Sequence, residues 1–167
     1  MAEQLVALIR EATPGDLPAM EWEGEYRRYR RLYRQAMAEA NAGRYRILLA
    51  EADRQVVGQV LVRLGVAPPQ LGDPADAGYL HALRVRPAYR NQGLGSRLIS
   101  EAETLLRRQG YRRVALAVAK DNTAARRLYE RLGYNVVADD PGGWSYLDDE
   151  GRLRHVREPA HILQKTL

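Results

Sequence analysis

The sequence predicts an α/β domain, a mixed sheet with helices on both faces, and three observations predict it. An apolar strand pattern, Leu80 to Val85, ends at Pro87 and leads through a glycine turn into an amphipathic helix. A second strand, Val114 to Ala119, leads into a second helix that stops at Gly133. Two further apolar runs, Tyr45 to Ala52 and Val56 to Leu64, are joined by a short polar turn and read as a hairpin.

Taken in order, Leu5 to Thr13 reads as a first strand and Pro14-Gly15-Asp16 as a turn and helix start. Tyr26, Tyr29, Tyr33, Ala36, Met37 and Ala40 form a helical stripe, with Arg27, Arg28, Arg30, Arg31 and Arg34 around it as a solvated face. After the hairpin, Gly65 to Ala77 holds three prolines and is the long irregular connection. Leu94, Leu98, Ile99, Ala102, Leu105 and Leu106 recur at three-and-four spacing up to Gly110. Asp121 or Asn122 caps the next helix, Gly133 suits its C′ position, and Leu128 and Leu132 supply its buried stripe. Tyr134 to Ala138 is a strand, the acidic turns around 139–143 and 148–151 bracket Trp144 to Leu147, and His161 to Leu167 is a final strand. The order is β–α–α–β–β–β–α–β–α–β–β, with no repeat or linker that would divide residues 1–167 into two domains.

Arg90-Asn91-Gln92-Gly93-Leu94-Gly95-Ser96 carries the first chemical signal. The opening turn of a helix has unpaired N–H groups and the positive end of the macrodipole, so a phosphate there gains hydrogen bonds and a favourable field. Glycines keep side chains out of the way, and Arg90 and Arg97 add charge. A turn that merely caps a helix has the same local signature. Two other phosphate loops are excluded: a Walker loop ends Gly-Lys-Ser/Thr, whereas Ser96 and Arg97 follow Gly95, and a dinucleotide fingerprint needs a small residue where Leu98 stands.

The pattern Val-x-Pro-x-x-Arg-x-x-Gly-x-Gly, followed some 30 residues later by Asn-x-x-Ala-x-x-Leu-Tyr-x-x-Leu-Gly-Tyr, resembles the GNAT superfamily of acyl-coenzyme A dependent N-acetyltransferases. The resemblance implies a mostly antiparallel central sheet of about seven strands and a single acetyltransferase domain. It implies that Arg90, Gln92, Gly93, Leu94, Gly95 and Ser96 hold the pyrophosphate of acetyl-CoA, and that Leu83 and Val85 pair with the pantetheine arm through their backbone. The Leu83 amide would polarise the thioester carbonyl, Asn122 would steady pantetheine with Ala125 leaving room beside it, and Tyr129 would face the sulfur.

Those residue types suit acyl transfer. An amine attacking a thioester makes an oxyanion that a fixed N–H stabilises. A tyrosine titrating near ~10 is protonated at neutral pH and donates to the leaving thiolate as a general acid. A tyrosine filling the helix–sheet core is the alternative role for Tyr129. Some members of the family carry a Glu base four residues before the Leu83 position, and here that residue is Tyr79. His81, on the same strand face as Tyr79, is the candidate base, a structural histidine being its alternative, and Glu21, Glu23 and Glu25 are further candidates.

With no cysteine, the chain has no disulfide or thiolate metal site, and His155 and His161 lack a ligand cluster, so no metal is expected. Residues Met1 to Arg10 lack a leader pattern and no apolar run is long enough to span a bilayer, so a cytoplasmic location and no membrane partner are expected. The net charge is +5 and all but two of the 26 basic residues are Arg, which an anionic coenzyme explains without nucleic acid. The acceptor is expected to be a small-molecule or protein amine, with Trp144, Tyr146 and nearby acids as candidate lining and a homodimer through the last strands as the expected assembly. Two rival functions remain: a non-catalytic acyl-CoA sensor, which Tyr79 in the Glu position favours, and an arginine-rich nucleic-acid binder, which no recognisable motif supports.

Overall fold

The computed structural model describes residues 5–167. The leader reading for Met1 to Gln4 therefore lies outside the described residues. Seven strands form one sheet in the order β1-β2-β3-β4-β5-β9-β6, and β7 and β8 form a separate two-stranded ribbon. Their ranges are β1 Leu8–Glu11, β2 Tyr45–Ala52, β3 Gln55–Leu64, β4 Ala77–Val85, β5 Arg113–Ala119, β6 Asn135–Asp140, β7 Gly143–Leu147, β8 Leu153–Arg157 and β9 Ala160–Thr166. Three α-helices complete the fold: α1 Arg30–Asn41, α2 Leu94–Arg108 and α3 Thr123–Arg131. Every pairing is antiparallel except β4 with β5.

Alternation along the strands builds two cores. On β2, Leu48 and Ala50 point to one face, where Leu94, Leu98, Ile99, Ala102 and Leu106 of α2 and Tyr129 of α3 meet them. Ile47 and Leu49 point to the other, against Tyr33, Ala36 and Met37 of α1. Leu98 and Leu106 are fully buried, and each contributes about 1.5–3 kcal/mol by leaving water. The hairpin between β2 and β3 turns on Asp53 and Arg54, both at positive φ (52° and 61°), the geometry that matches strand twist.

Several expectations need correction. The first strand is four residues long, not Leu5 to Thr13. The tyrosine stripe is only partly α-helical: three short 3-10 turns, Pro14–Asp16, Pro18–Glu21 and Arg27–Tyr29, the first two started by proline, occupy most of residues 14–29, so Tyr26 and Tyr29 precede α1. Among the described residues one α-helix, not two, precedes the hairpin. The arginine face is not simply solvated, because Arg30 pairs with Glu21 at 2.8 Å and Arg28 lies over the Tyr29 ring at 4.6 Å. Leu128 and Leu132 are half-buried, and Tyr129 is the buried residue of α3.

Gly142, at φ +78, lies against the turn between β8 and β9, where a Cβ would come within 1.8 Å of the Glu158 carbonyl oxygen. Its own carbonyl accepts the Glu158 N–H at 2.8 Å. Gly142→Ala is expected to lower the unfolding free energy by about 2–3 kcal/mol, since neither the backbone angle nor the contact tolerates a methyl group. Chemical denaturation of the two proteins checks it, and equal midpoints would contradict the close approach.

Candidate active site

The strand that positions the site is β4. It pairs with β5 only from Ala77 opposite Arg113 to Leu80 opposite Leu116, and beyond that point the two strands part. On its other side β4 carries a bulge: Gln59 faces Arg84 and Leu61 faces His81, so Ala82 and Leu83 together oppose Val60. Ala82 takes φ +54, unusual for a residue with a Cβ. A bulge of this kind bends its strand and leaves the extra residue out of the ladder. It also reverses the alternation, since Tyr79 and His81 face the α1 side while Leu83 and Val85, after the bulge, pack with the α2 core. Gln59, fully buried, donates its Nε2 to the Ala82 carbonyl at 3.2 Å and so holds the bulge from the core.

Two cavities meet in the resulting gap. One, about 240 Å³, opens on the α2 and α3 side and is lined by Leu80, Leu83, Leu116, Asn122, Ala125 and Tyr129 among others. The second, about 480 Å³, opens on the α1 side between Tyr29, Tyr33, Tyr79, Arg63, Asp140 and Trp144. Both are lined by His81, Ala82, Arg84, Ala117, Ala119 and Glu158. A further cavity of about 290 Å³ lies between β1, β2 and α2, away from these residues, and its Arg10 and Arg46 are already paired with acids.

The helix that opens on this side is α2. Gly93, its N-cap, has φ +81, and the first intrahelical bond runs from the Arg97 N–H to the Gly93 carbonyl at 3.0 Å. The N–H groups of Leu94, Gly95 and Ser96 thus have no partner within the helix, the donor set that suits a phosphate. A Cβ at Gly95 would meet Leu128 at 3.7 Å, an ordinary contact, so helix packing alone does not require glycine there. Arg90 donates Nε to the Val85 carbonyl at 2.8 Å, Gln92 reaches the Ala88 carbonyl at 3.5 Å, and Arg97 turns to the Ala7 carbonyl at 2.9 Å.

At the head of α3, Asn122 is the cap: its Oδ1 accepts the Ala125 N–H at 3.2 Å, which orients the side-chain amide at the cavity wall. The helix ends on Gly133, with the Gly133 N–H on the Glu130 carbonyl and the Tyr134 N–H on the Tyr129 carbonyl at 3.0 Å. Tyr129 packs edge-on against Tyr134 at 6.1 Å, and the Tyr134 hydroxyl donates to buried Glu103 at 2.8 Å. Burial pushes the Tyr129 phenol up to about 12.

His81 lies with its Nε2 2.8 Å from the Tyr45 hydroxyl and stacks on Tyr79 at 6.0 Å. Burial first, then the positive charges of Arg63 and Arg84, pull its pKa from 6.5 down to about 4. Burial raises Tyr79, so it stays protonated. Glu21 and Glu23 are held by Arg30 and Arg86, and none of Glu21, Glu23 and Glu25 lines either cavity. Trp144 borders the α1-side cavity, whereas Tyr146 lies behind it, stacked on Trp144 at 5.1 Å. Arg63, Arg84, Tyr45 and Glu158 were missed in the sequence; each stands alone on its strand or turn, and only the fold brings them together.

Residues 4–134 match the family model described as the acetyltransferase (GNAT) family. The chain belongs to that family. Among curated relatives, a mycothiol acetyltransferase of Geodermatophilus obscurus is 41% identical over 75 residues, which is 45% of this chain but 24% of that protein. The first curated relatives are each matched over 24% to 57% of their length. Among solved structures, the ribosomal-protein-S18-alanine N-acetyltransferase from Escherichia coli superposes with a TM-score of 0.72 at 23% identity, covering 96% of this chain and 94% of that one. The PaiA N-acetyltransferase from Thermoplasma acidophilum, solved in complex with coenzyme A, gives 0.71 at 17%, covering 98% and 100%. The seven-stranded mixed sheet is thus the fold of these N-acetyltransferases. Among the described residues no helix is long and apolar enough to cross a membrane.

The depressed His81 pKa has a measurable consequence for stability. Between about pH 4 and 6.5 the unfolded chain binds a proton there that the folded chain does not, so this contribution is full above pH 6.5 and is lost as pH falls through about 4. The unfolding free energy is expected to rise with pH across that window, and His81→Gln to remove up to about 1.4 kcal/mol per pH unit of the slope. Denaturant titrations from pH 4 to 7 check it; identical slopes for both proteins would contradict a buried neutral imidazole.

Proposed function

We propose that the chain transfers an acetyl group from acetyl-CoA to a primary amine, by direct attack of the amine in a complex holding both substrates. The observation that carries the reading is the parting of β4 from β5, which lets a cavity bordered by Tyr129 meet a cavity on the opposite sheet face through His81 and Ala82. The donor would enter from the α2 and α3 side and the amine from the α1 side.

In this reading the unpaired Leu94, Gly95 and Ser96 amides hold the coenzyme pyrophosphate, with Gly93 shaping the turn and Arg90 and Gln92 beside it. The Asn122 amide and the backbone of Leu83 and Val85 guide the pantetheine arm past Ala125. The bulge turns the Leu83 amide out of the ladder and toward the thioester oxygen, where it stabilises the oxyanion. Tyr129, protonated throughout the physiological range, gives its proton to the departing thiolate.

The amine must lose a proton as it bonds to carbon. His81 is neutral at pH 7, and its low pKa makes it a poor place to keep a proton. Its contact with Tyr45 makes it a relay instead, passing the proton outward through that hydroxyl. The same low pKa, with Tyr79 where a carboxylate base would serve, also favours a second reading, a non-catalytic acyl-CoA-binding module.

A thiol-release screen over diverse amines separates the two, because tight acetyl-CoA binding with no release for any amine would favour the binding module. For an active enzyme, Tyr129→Phe is expected to lower kcat about 100-fold and to leave the KM for acetyl-CoA little changed. Turnover at the parent rate would remove Tyr129 from its role.

A further inference from the structure

The α1-side cavity carries a charge pattern that amine acetylation alone does not require. Arg63, from β3, and Arg84, from β4, both line it, and among the described residues neither forms an ion pair. By contrast Arg30 and Arg86 are each paired with a glutamate. Arg84 is half-buried and fixed in place: its guanidinium lies 4.0 Å over the Tyr26 ring and 5.2 Å over Tyr29, and it donates to the Tyr33 hydroxyl. Arg63 lies 5.6 Å over the Tyr45 ring. A guanidinium has five N–H donors, and rings that hold it flat leave most of them free. Two such cations in one cavity repel each other, and after burial they are the next causes that lower the pKa of His81.

Asp140 and Glu158 also line the cavity and answer an ammonium ion, which gains nothing from the two arginines. An anion does, and a planar carboxylate matches the fork of Arg84. Arg84 and Glu158 are both common to the two cavities, so a cation-seeking carboxylate and an anion-seeking guanidinium flank the place where the amine must meet the donor. Tyr29, Leu32, Ala36 and Trp144 give the same cavity an apolar and aromatic wall.

We propose that the acceptor is a free α-amino acid with a large apolar or aromatic side chain, its carboxylate on Arg84 and Arg63, its amine beside Glu158 and its side chain on the aromatic wall. The proposal rests on the acetyl-transfer reading of the gap. The amine nitrogen bonds to the thioester carbon to give the oxyanion, the carbon–sulfur bond then breaks, and the sulfur leaves as the thiol with the Tyr129 proton; of the two protons an ammonium nitrogen gives up, one restores the Tyr129 hydroxyl and the other passes to solvent. The products are an N-acetylamino acid and coenzyme A. A cavity of about 480 Å³ holds such an amino acid. A peptide amino terminus lacks the free α-carboxylate and leaves both arginines unanswered.

The test compares thiol release from acetyl-CoA with L-phenylalanine, L-phenylalaninamide, 2-phenylethylamine and a short amidated peptide beginning with Phe. L-alanine reports the side-chain contribution, and calorimetry on the same samples reports acetyl-CoA binding. The expected result is a kcat/KM for L-phenylalanine about 10- to 100-fold above its carboxamide, the size of a lost charged hydrogen bond. Arg84→Met and Arg63→Met should each bring that ratio toward one through KM. Arg63 is exposed, so its variant remains informative where Arg84→Met fails to fold. Equal rates for acid and carboxamide, or faster release with the peptide, would overturn the proposal while leaving acetyl transfer intact. Binding of acetyl-CoA without release for any of these amines would overturn it too. Absence of acetyl-CoA binding would overturn the acetyl-transfer reading beneath it.

Discussion

The constraint on which the rest depends is the extra residue in β4. Ala82 sits at a backbone angle that a Cβ disfavours, and it persists because Gln59, buried beneath it, ties its carbonyl to the core. From that one irregularity follow the bend of β4, the loss of its pairing with β5 after Leu80, and the gap in which two cavities meet. An unbroken sheet would have sealed the two faces from each other. The change of facing is equally important, because it puts His81 and Leu83, only two residues apart, on opposite sides of the sheet.

What was legible in the sequence is what local chemistry writes. The glycine turn at Gly93, the apolar spacing of α2, the Asn122 cap and the Gly133 stop are each specified within a few residues, and each stands where those residues predict. The hairpin was legible for the same reason. The segment from Pro14 to Tyr29 was not, since aromatic residues at helical spacing also fit a chain of 3-10 turns that packs tyrosines against one another. Nor was the bulge: an alanine at positive φ leaves no mark in composition or periodicity, and its cause, Gln59, lies 23 residues away.

The site followed the same division. Residues assigned to the donor side come from contiguous motifs, and the fold gathers Leu83, Asn122, Ala125 and Tyr129 around one cavity. The α1-side cavity is assembled from β3, β4, α1 and the turns flanking the β7–β8 ribbon, with no more than four residues from any one of them. No motif exists there to be recognised. Charge balance was the only available signal, and it becomes informative only when the arginines that have partners are separated from those that do not.

The cap of α3 ties architecture to chemistry. The Tyr134 amide closes the helix on the carbonyl of Tyr129, the Tyr134 ring lies against the Tyr129 ring, and the Tyr134 hydroxyl is anchored by Glu103, which Lys165 of β9 also holds at 2.9 Å. The phenol is therefore aimed by a neighbour that never reaches the cavity, through a strut running from the last strand of the sheet. Anything that loosens that strut tilts the ring, so wear in the scaffold would register first as lost aim and only later as lost shape.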